Sequence, residues 1–148
     1  DQDQTYRFAV FDADEKNLLG ENMLIDRVGA DALEIGYWLD KEAVGQGIAY
    51  EACCAMLRLA FDMIRISRLD LMCPPENKAS AALAAKLGFT HEATLRQRGV
   101  DSELEISDLM LWTLFADDYS GTSAVNSSFR IFDCMGNDLY HTQSDRFT

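Results

Sequence analysis

Histidine is scarce in this sequence, and its cysteines lack the spacing of a metal site. The two histidines, His91 and His141, form no ligand cluster with cysteine or acidic residues, and we expect no bound metal. The four cysteines also lack the spacing of a metal site; they are Cys53, Cys54, Cys73 and Cys134. We expect these cysteines to be reduced, buried thiols rather than disulfides.

Basic residues are few relative to acidic ones, and long apolar runs are absent. The 13 basic residues are outnumbered by 25 acidic ones, and the net charge of -12 argues against binding to nucleic acid or anionic lipid. The acidity favours a cationic partner, or it serves only solubility. No apolar run is long enough to span a membrane, and the acidic start, Asp1 to Gln4, lacks the basic region of a signal peptide. We therefore expect a cytoplasmic protein.

What the sequence does contain is enough apolar residues for one globular domain, at 48% of 148 residues. Its first forty residues form three extended segments separated by polar turns, namely Tyr6–Asp12, Leu18–Val28 and Leu33–Leu39. This pattern predicts an antiparallel meander. From Gly47 to Ile64 the apolar residues recur at helical spacing, which predicts an amphipathic helix of about four to five turns.

The middle of the chain predicts a strand followed by a second helix. The strand Leu69–Cys73 is stopped by Pro74 and Pro75, because proline has no N–H to give to a sheet. Asn77 is a preferred N-cap residue, and Gly88 suits the left-handed end of the helix that follows. We expect a short, alanine-rich helix between them.

The last third of the chain predicts two hairpins. The first joins His91–Arg98 to Glu105–Phe115, and its second strand is apolar at almost every position from Leu109 onward, which is typical of burial on both faces. After Tyr119 the composition becomes rich in Ser, Thr, Asn and Gly, before a small hairpin within Phe129–Tyr140.

The most informative segment joins a strand to a helix through closely spaced glycines. Gly45 and Gly47 let successive backbone N–H groups converge, and the helix dipole adds partial positive charge at the same point. A pyrophosphate fits this arrangement, although tight turns use glycine for other reasons too. The dinucleotide-binding alternative fails, because an antiparallel meander precedes the loop and further glycine and acidic positions are missing.

Four motifs occur together in a specific order and spacing. They are Glu34–Asp40, Gly45–Ala49, Pro75–Ser80 and Lys86–Phe89, and they contain Gly-Tyr-Trp-Leu-Asp, Gly-x-Gly-x-Ala, Pro-Glu-Asn-x-x-Ser and Lys-Leu-Gly-Phe. In this combination the chain resembles the GNAT superfamily of N-acetyltransferases, and within it the RimJ/RimL-like branch that acetylates ribosomal-protein N-termini. The resemblance covers about Ile35 to Tyr119.

The resemblance implies an α/β (α+β) fold, the GNAT acyl-CoA N-acyltransferase fold, with a mixed, mostly antiparallel central sheet flanked by helices. Residues 1–119 would form the acetyltransferase domain and residues 120–148 a C-terminal extension. The implied reaction moves an acetyl group from acetyl-CoA to a primary amine by direct attack in a ternary complex. The acceptor would be a peptide N-terminus, a polyamine or another small cationic amine.

The resemblance also assigns the cofactor contacts. The strand ending at Leu39 would splay from its neighbour and pair with the pantetheine arm, while loop amides hold the pyrophosphate. The implied contacts are Trp38, Leu39, Val44, Gly45, Gln46, Gly47, Ile48, Ala49, Asn77 and Lys86. Val44 replaces the usual Arg or Gln, which removes a side-chain contact near the phosphates. A helix cap is the alternative role for Asn77.

Two side chains are candidates for proton transfer. An amine acceptor is mostly protonated at neutral pH and needs a proton acceptor, for which we choose Glu34; its alternative is an exposed carboxylate at a strand end. By the resemblance, Ser80 matches a family serine near the sulfur of the leaving thiolate. Many relatives instead use a tyrosine one turn further along this helix, but the matching residue here is Ala84, so Ser80 or water must substitute. Cys73 has no histidine nearby to activate it and is expected to be structural.

The sequence departs from the family pattern at its start and end. It begins in the second family strand, so the elements that close over the acceptor are expected to be absent and one sheet edge unpaired. The segment Phe129–Tyr140 would fill that edge, within the chain or by exchange in a homodimer. These departures leave a second interpretation open, a non-catalytic acyl-CoA-binding or protein-interaction module on a degenerate fold.

Overall fold

The computed structural model describes residues 5–100, 103–132 and 135–141. Its first half contains β1 (Thr5–Phe11), β2 (Leu18–Ile25), β3 (Ala32–Leu39), helix α1 (Ile48–Arg58) with a π-helical turn at Leu59–Ile64, and β4 (Arg68–Cys73). Its second half contains α2 (Lys78–Leu87), β5 (Thr90–Val100), β6 (Ile106–Phe115), the short α3 (Ala116–Tyr119), a 3₁₀ turn at Ser123–Asn126, β7 (Arg130–Phe132) and β8 (Asp138–His141).

Six strands form one mixed sheet in the order β1-β2-β3-β4-β6-β5. The pairs are antiparallel except for β3 with β4, which run parallel because α1 carries the chain across between them. The predicted meander, central helix, strand, second helix and hairpin are all present in this order. The expected mixed, mostly antiparallel sheet flanked by helices is confirmed.

Helix α1 forms the centre of the core. Cys53, Leu57 and Ala60 follow one another at helical spacing and are each 0% exposed, so one face of the helix is fully removed from water. Burying a leucine side chain in this way stabilises a fold by about 1.5–3 kcal/mol. The helical segment ends at Arg65, which takes a left-handed conformation with φ of 64°.

Helix α2 begins and ends where the sequence predicts. The side chain of Asn77 accepts a hydrogen bond from the backbone N–H of Ser80, and Gly88 closes the helix with φ of 94°. The helix packs against α1, β4 and β5. Both cap predictions are therefore confirmed.

The prediction that β6 is buried on both faces is wrong for its first half. Thr113 and Leu114 are buried, but the preceding apolar run, Leu109–Trp112, is only half-buried. Helices α1 and α2 pack against each other, and they contact β2, β3, β4 and β5 but not β6 to the same extent. The apolar run therefore reflects strand propensity and partial cover rather than a double-sided core.

The C-terminal hairpin is present, but it does not complete the large sheet within the chain. β7 and β8 pair with each other in a separate two-stranded sheet. Between β6 and this hairpin the chain packs on α1, where Ala124 is 1% exposed and Arg58 donates to the carbonyls of Val125 and Ser127 at 2.6 and 2.9 Å. In the described residues the hairpin therefore does not pair with β1, and its role in completing the sheet stays a prediction.

The three cysteines in the described residues, Cys53, Cys54 and Cys73, are free and buried, as predicted, and Cys134 lies outside the described residues. Among the helices of the described residues, none has the length and apolar character that crossing a membrane requires. The described part of the chain also holds no group of three His, Cys, Asp or Glu side chains placed to bind a metal.

Candidate functional site

The sheet opens between its two parallel strands. The last paired residues are Ile35 in β3 and Leu71 in β4. Beyond this point β3 continues to pair with β2 as far as Leu39, and β4 continues with β6 as far as Cys73. Among the described residues, the side of β3 that faces β4 therefore has no strand partner from Gly36 onward, and its backbone groups are available to an extended ligand.

The glycine loop lies directly after this unpaired end of β3. Gly45 and Gly47 have φ of 82° and 84°, and a Cβ added to either would meet no atom within 4 Å. The first hydrogen bond of α1 runs from Glu51 N–H to Gly47 C=O at 3.0 Å, so the amides before Glu51 begin the helix without intrahelical acceptors. Open space beside free amides suits an anionic group such as pyrophosphate.

Two side chains of the loop have different roles. Gln46 donates from Nε2 to the carbonyl of Glu42 at 2.7 Å. Its side-chain amide therefore stabilises the turn and is not directed at a ligand. Val44 is 61% exposed and offers no polar group. Ile48 and Ala49 are half-buried at the helix start, so these positions contribute backbone amides.

Ser80 lies at the start of α2, across the opening from β3. Its N–H donates to Asn77 Oδ1 at 3.1 Å, and its hydroxyl hydrogen-bonds to that of Tyr37 at 2.8 Å. The cap role of Asn77 is thereby shown, while a cofactor contact stays a prediction. Ala84, one turn further along α2, is fully buried and has no hydroxyl to give.

Sequence reasoning missed the hydroxyl contact of Tyr37. Tyr37 and Ser80 are 43 residues apart, and no local spacing links them. Burial raises the pKa of Tyr37, while the hydrogen bond with Ser80 acts in the opposite direction. The phenol therefore stays protonated at neutral pH.

Trp38 points to the other face of the sheet, because neighbouring residues of a strand alternate. Its ring is about half exposed, and Nε1 donates to Glu21 Oε2 at 3.0 Å. This bond, together with Arg7, lowers the pKa of Glu21. The backbone of Trp38 and Leu39 lies at the opening, but the indole ring lies on the face away from Tyr37.

Glu34 lies just before the opening, on the same face as Trp38. Its two carboxylate oxygens accept hydrogen bonds from Arg27 Nε and a terminal nitrogen at 2.8 and 2.7 Å. Glu34 is 5% exposed, so the alternative of an exposed strand-end carboxylate is wrong. Glu34 and Ser80 therefore lie on opposite sides of the opening.

Asp70 is a second buried carboxylate beside Glu34 that sequence reasoning missed. The two residues are register partners across β3 and β4, and Asp70 is 4% exposed. Thr113 donates to it at 3.1 Å, and Arg68 lies 3.2 Å away. Burial raises its pKa, with the neighbouring Glu34 adding to the effect and Arg68 opposing it. Its signal in the sequence was a charged residue inside an otherwise apolar strand.

Lys86 and Cys73 complete the predicted set. The Lys86 ammonium lies 4.2 Å from the ring centre of Tyr50, whose hydroxyl bonds to that of Ser123. Lys86 thus lies on the α1–α2 side of the molecule, next to the start of α1. Burial raises the pKa of the Cys73 thiol and raises that of Cys53 to about 12, so both thiols stay protonated and are poor nucleophiles.

A cavity of about 1060 Å³ lies beside the loop, between the β1–β2 turn and α1. Gln46 and Ile48 line it, but Ser80, Lys86 and Glu34 do not. This cavity is distinct from the opening between β3 and β4, and the predicted catalytic side chains belong to the opening.

Comparison with known proteins places this geometry in context. Residues 1–90 match the family model of the acetyltransferase (GNAT) domain. The chain is 32% identical over 99 residues to the probable N-acetyltransferase YjcK of Bacillus subtilis, covering 66% of this chain and 55% of that protein. It is 32% identical over 93 residues to the [ribosomal protein uS5]-alanine N-acetyltransferase of Escherichia coli, covering 62% of this chain and 48% of the relative.

Among solved structures, the chain resembles spermidine N-acetyltransferase from Vibrio cholerae in complex with CoA and spermine. The TM-score is 0.70 at 24% identity, over 78% of this chain and 68% of that one, which supports the fold. The chain spans about half the length of the curated relatives it matches. The family match, the sheet order and the opening beside the glycine loop agree, and the chain belongs to the GNAT acetyltransferase family.

Proposed function

We propose that this protein transfers an acetyl group from acetyl-CoA to a primary amine by direct attack in a ternary complex. The observation that carries the proposal is the opening of the sheet after Ile35 and Leu71, directly before the glycine loop. An extended pantetheine arm can form hydrogen bonds with the backbone groups of β3 that do not pair with β4. The loop amides from Val44 to Ala49 would hold the pyrophosphate, with Asn77 and Lys86 along the arm and toward the adenosine end.

The acceptor is proposed to be a cationic amine, such as a peptide N-terminus or a polyamine. Relatives named for the alanine of a ribosomal protein and for spermidine act on such amines. On the face of the sheet opposite α2, the carboxylates of Glu34, Asp70 and Glu21 are each paired with an arginine, so the support from charge comes from the whole molecule. The net charge of -12 adds long-range attraction for a cation.

Glu34 and Ser80 are proposed to act on opposite faces of the sheet. Glu34 would accept the proton that the attacking amine loses, and Ser80 would donate to the sulfur as the thiolate leaves. The two side chains would serve different atoms, because the amine adds to a face of the planar acetyl carbonyl and the thiolate leaves from the tetrahedral intermediate. Acetyl-CoA supplies the activated thioester, and the protein supplies position and proton transfer.

The cofactor part of the proposal is tested by calorimetric binding of CoA to a Gly47→Ala variant. A Cβ at φ of 84° projects into the open space beside the amides, so we expect CoA affinity to fall roughly tenfold or more. Gly29→Ala is the matched control, because Gly29 also has a positive φ, of 110°, and open space around it, but lies in the β2–β3 turn. Equal CoA affinity in both variants would contradict the loop assignment.

The catalytic part is tested by release of free thiol from acetyl-CoA with spermidine and with a peptide bearing a free N-terminal alanine. Turnover with either amine supports the acetyltransferase. Tight CoA binding without turnover on a wider amine panel would favour the non-catalytic acyl-CoA-binding module instead.

We also propose a cytoplasmic location and a homodimer that uses the C-terminal hairpin. Free, buried thiols at Cys53, Cys54 and Cys73 fit a reducing compartment. β1 lies at one edge of the large sheet and is exposed along most of its length, so a strand from a second copy has a place to pair.

A further inference from the structure

The hydroxyl pair formed by Tyr37 and Ser80 bridges the opening of the sheet. Tyr37 belongs to the part of β3 that lies beyond the last pair with β4, which is Ile35 with Leu71. Ser80 belongs to the first turn of α2. Their oxygens are 2.8 Å apart, so this single hydrogen bond joins the unpaired strand to the helix across the space proposed for the acetyl donor.

Both partners are held by their surroundings. Ser80 is 9% exposed, and its backbone is fixed by the bond to Asn77 at 3.1 Å. Tyr37 is half-buried and packs against the core. The titratable groups acting on Tyr37 from α1 and β4 are the thiols of Cys53 and Cys73, which burial keeps protonated. A neutral, fixed phenol is suited to donate a hydrogen bond rather than to accept one from a charged neighbour.

Helix α2 offers no other hydroxyl. Its sequence contains a single serine and no threonine or tyrosine, and Ala84 is fully buried one turn beyond Ser80. An isolated serine hydroxyl has a high pKa and can turn its proton in several directions. A second hydroxyl that donates to Ser80 fixes the serine oxygen as acceptor and leaves the serine proton free to point elsewhere.

We propose that Tyr37 is a positioning residue that orients Ser80 and relays a proton through it to the departing sulfur. The inference rests on the proposed acetyl transfer. The amine nitrogen forms a bond to the acetyl carbon, and the carbon–sulfur bond breaks with its electron pair left on sulfur. Ser80 gives its hydroxyl proton to that sulfur, Tyr37 gives its proton to Ser80, and solvent returns one proton to Tyr37. The amine loses one proton on the opposite face, so the exchange balances.

The test compares Tyr37→Phe, Ser80→Ala and the double variant. Tyr37→Phe is expected to lower kcat roughly tenfold or more, while the KM for acetyl-CoA and the calorimetric Kd for CoA stay within about threefold of wild type. Because Tyr37 acts through Ser80, the double variant is expected to be no slower than Ser80→Ala alone. Losses that add, or a Tyr37→Phe variant with wild-type kcat, would overturn the inference.

Tyr119→Phe is the matched control. Tyr119 is also a buried tyrosine, but it stacks on Phe61 with ring centres 4.7 Å apart, away from the opening. Its variant is expected to keep wild-type kcat. If Tyr37→Phe does not fold, Ser80→Thr replaces it, since threonine keeps the hydroxyl; an equal loss of rate in Ser80→Thr and Ser80→Ala would count against the relay.

A second readout needs no acetyl donor. The tyrosine absorbance titration of wild type, minus that of Tyr37→Phe, isolates the Tyr37 phenol. Because Ser80→Ala removes the hydrogen-bond partner of the phenol, the titration of Tyr37 is expected to shift from its wild-type position. An unchanged titration would show that the two hydroxyls do not interact in solution.

The outcomes separate the two proposals. If wild type neither binds CoA nor acetylates spermidine or the alanyl peptide, the proposed function fails and the relay fails with it. If wild type turns over and Tyr37→Phe matches it in kcat, the proposed function stands and only the relay is refuted.

Discussion

The buried carboxylate of Glu34 is held by a guanidinium on one side and faces another carboxylate on the other. Arg27 contacts both of its oxygens, at 2.8 and 2.7 Å, and Asp70 is its register partner on β4. The arginine offsets much of the cost of burying the charge. In the proposed mechanism, a proton accepted from the amine would weaken the pair with Arg27.

Glu34→Gln tests the proton-acceptor role of this residue. The amide keeps the size of the carboxylate but cannot take up a proton, so we expect kcat to fall by roughly 10²–10⁴-fold with CoA affinity unchanged. Asp62→Asn is the control, since Asp62 also pairs with an arginine, Arg58 at 2.6 Å, at the far end of α1. A near-wild-type kcat in Glu34→Gln would indicate that Asp70 or water, and not Glu34, accepts the proton.

Among the elements, α2 begins at Asn77, a helix cap that is also proposed to contact the cofactor. Asn77 caps the helix through Oδ1, and a side-chain amide also has an NH₂ group that can donate to a ligand. Its neighbours Pro74 and Pro75 end β4, so the cap stands at the mouth of the opening. The cap alone stabilises the fold by about 1 kcal/mol.

Asn77→Ser separates these two roles, because serine caps a helix about as well as asparagine but has no amide. We expect its unfolding free energy to stay within about 0.5 kcal/mol of wild type and its CoA affinity to fall about threefold to tenfold. Asn77→Ala is expected to lose about 1 kcal/mol of stability in addition. Chemical denaturation and calorimetry measure the two effects, and wild-type CoA affinity in Asn77→Ser would leave Asn77 as a cap only.

The elements were largely predictable because their signals are local. Asn77 and Gly88 lie directly next to the two ends of α2. The apolar spacing from Cys53 to Ala60 predicts the buried face of α1. The side-chain contacts of the site were not predictable in the same way. Tyr37 meets Ser80 across 43 residues, and such pairs depend on how the parallel strands diverge, which no local pattern encodes.

At the scale of the whole molecule, β1 is an edge strand of the large sheet in the part of the chain that the structure describes, and β7 and β8 form a separate hairpin. The hairpin is joined to the body through the segment that packs on α1, where Arg58 donates to Val125 and Ser127 and its guanidinium lies 5.4 Å from the ring centre of Phe129. Body and hairpin can therefore be separated after Ser127 without removing the carbonyls that hold Arg58.

Truncation after Ser127 tests the proposed homodimer. The truncated chain is expected to stay folded, because Ala124 and both carbonyl acceptors of Arg58 remain, and to sediment as a monomer where the full chain sediments as a dimer. Truncation after Tyr119 is the comparison, since it also removes Ala124 and leaves the buried Arg58 guanidinium without those acceptors; its melting temperature is expected to fall. A monomeric full chain, or a truncated chain that still dimerises, would refute the role of the hairpin.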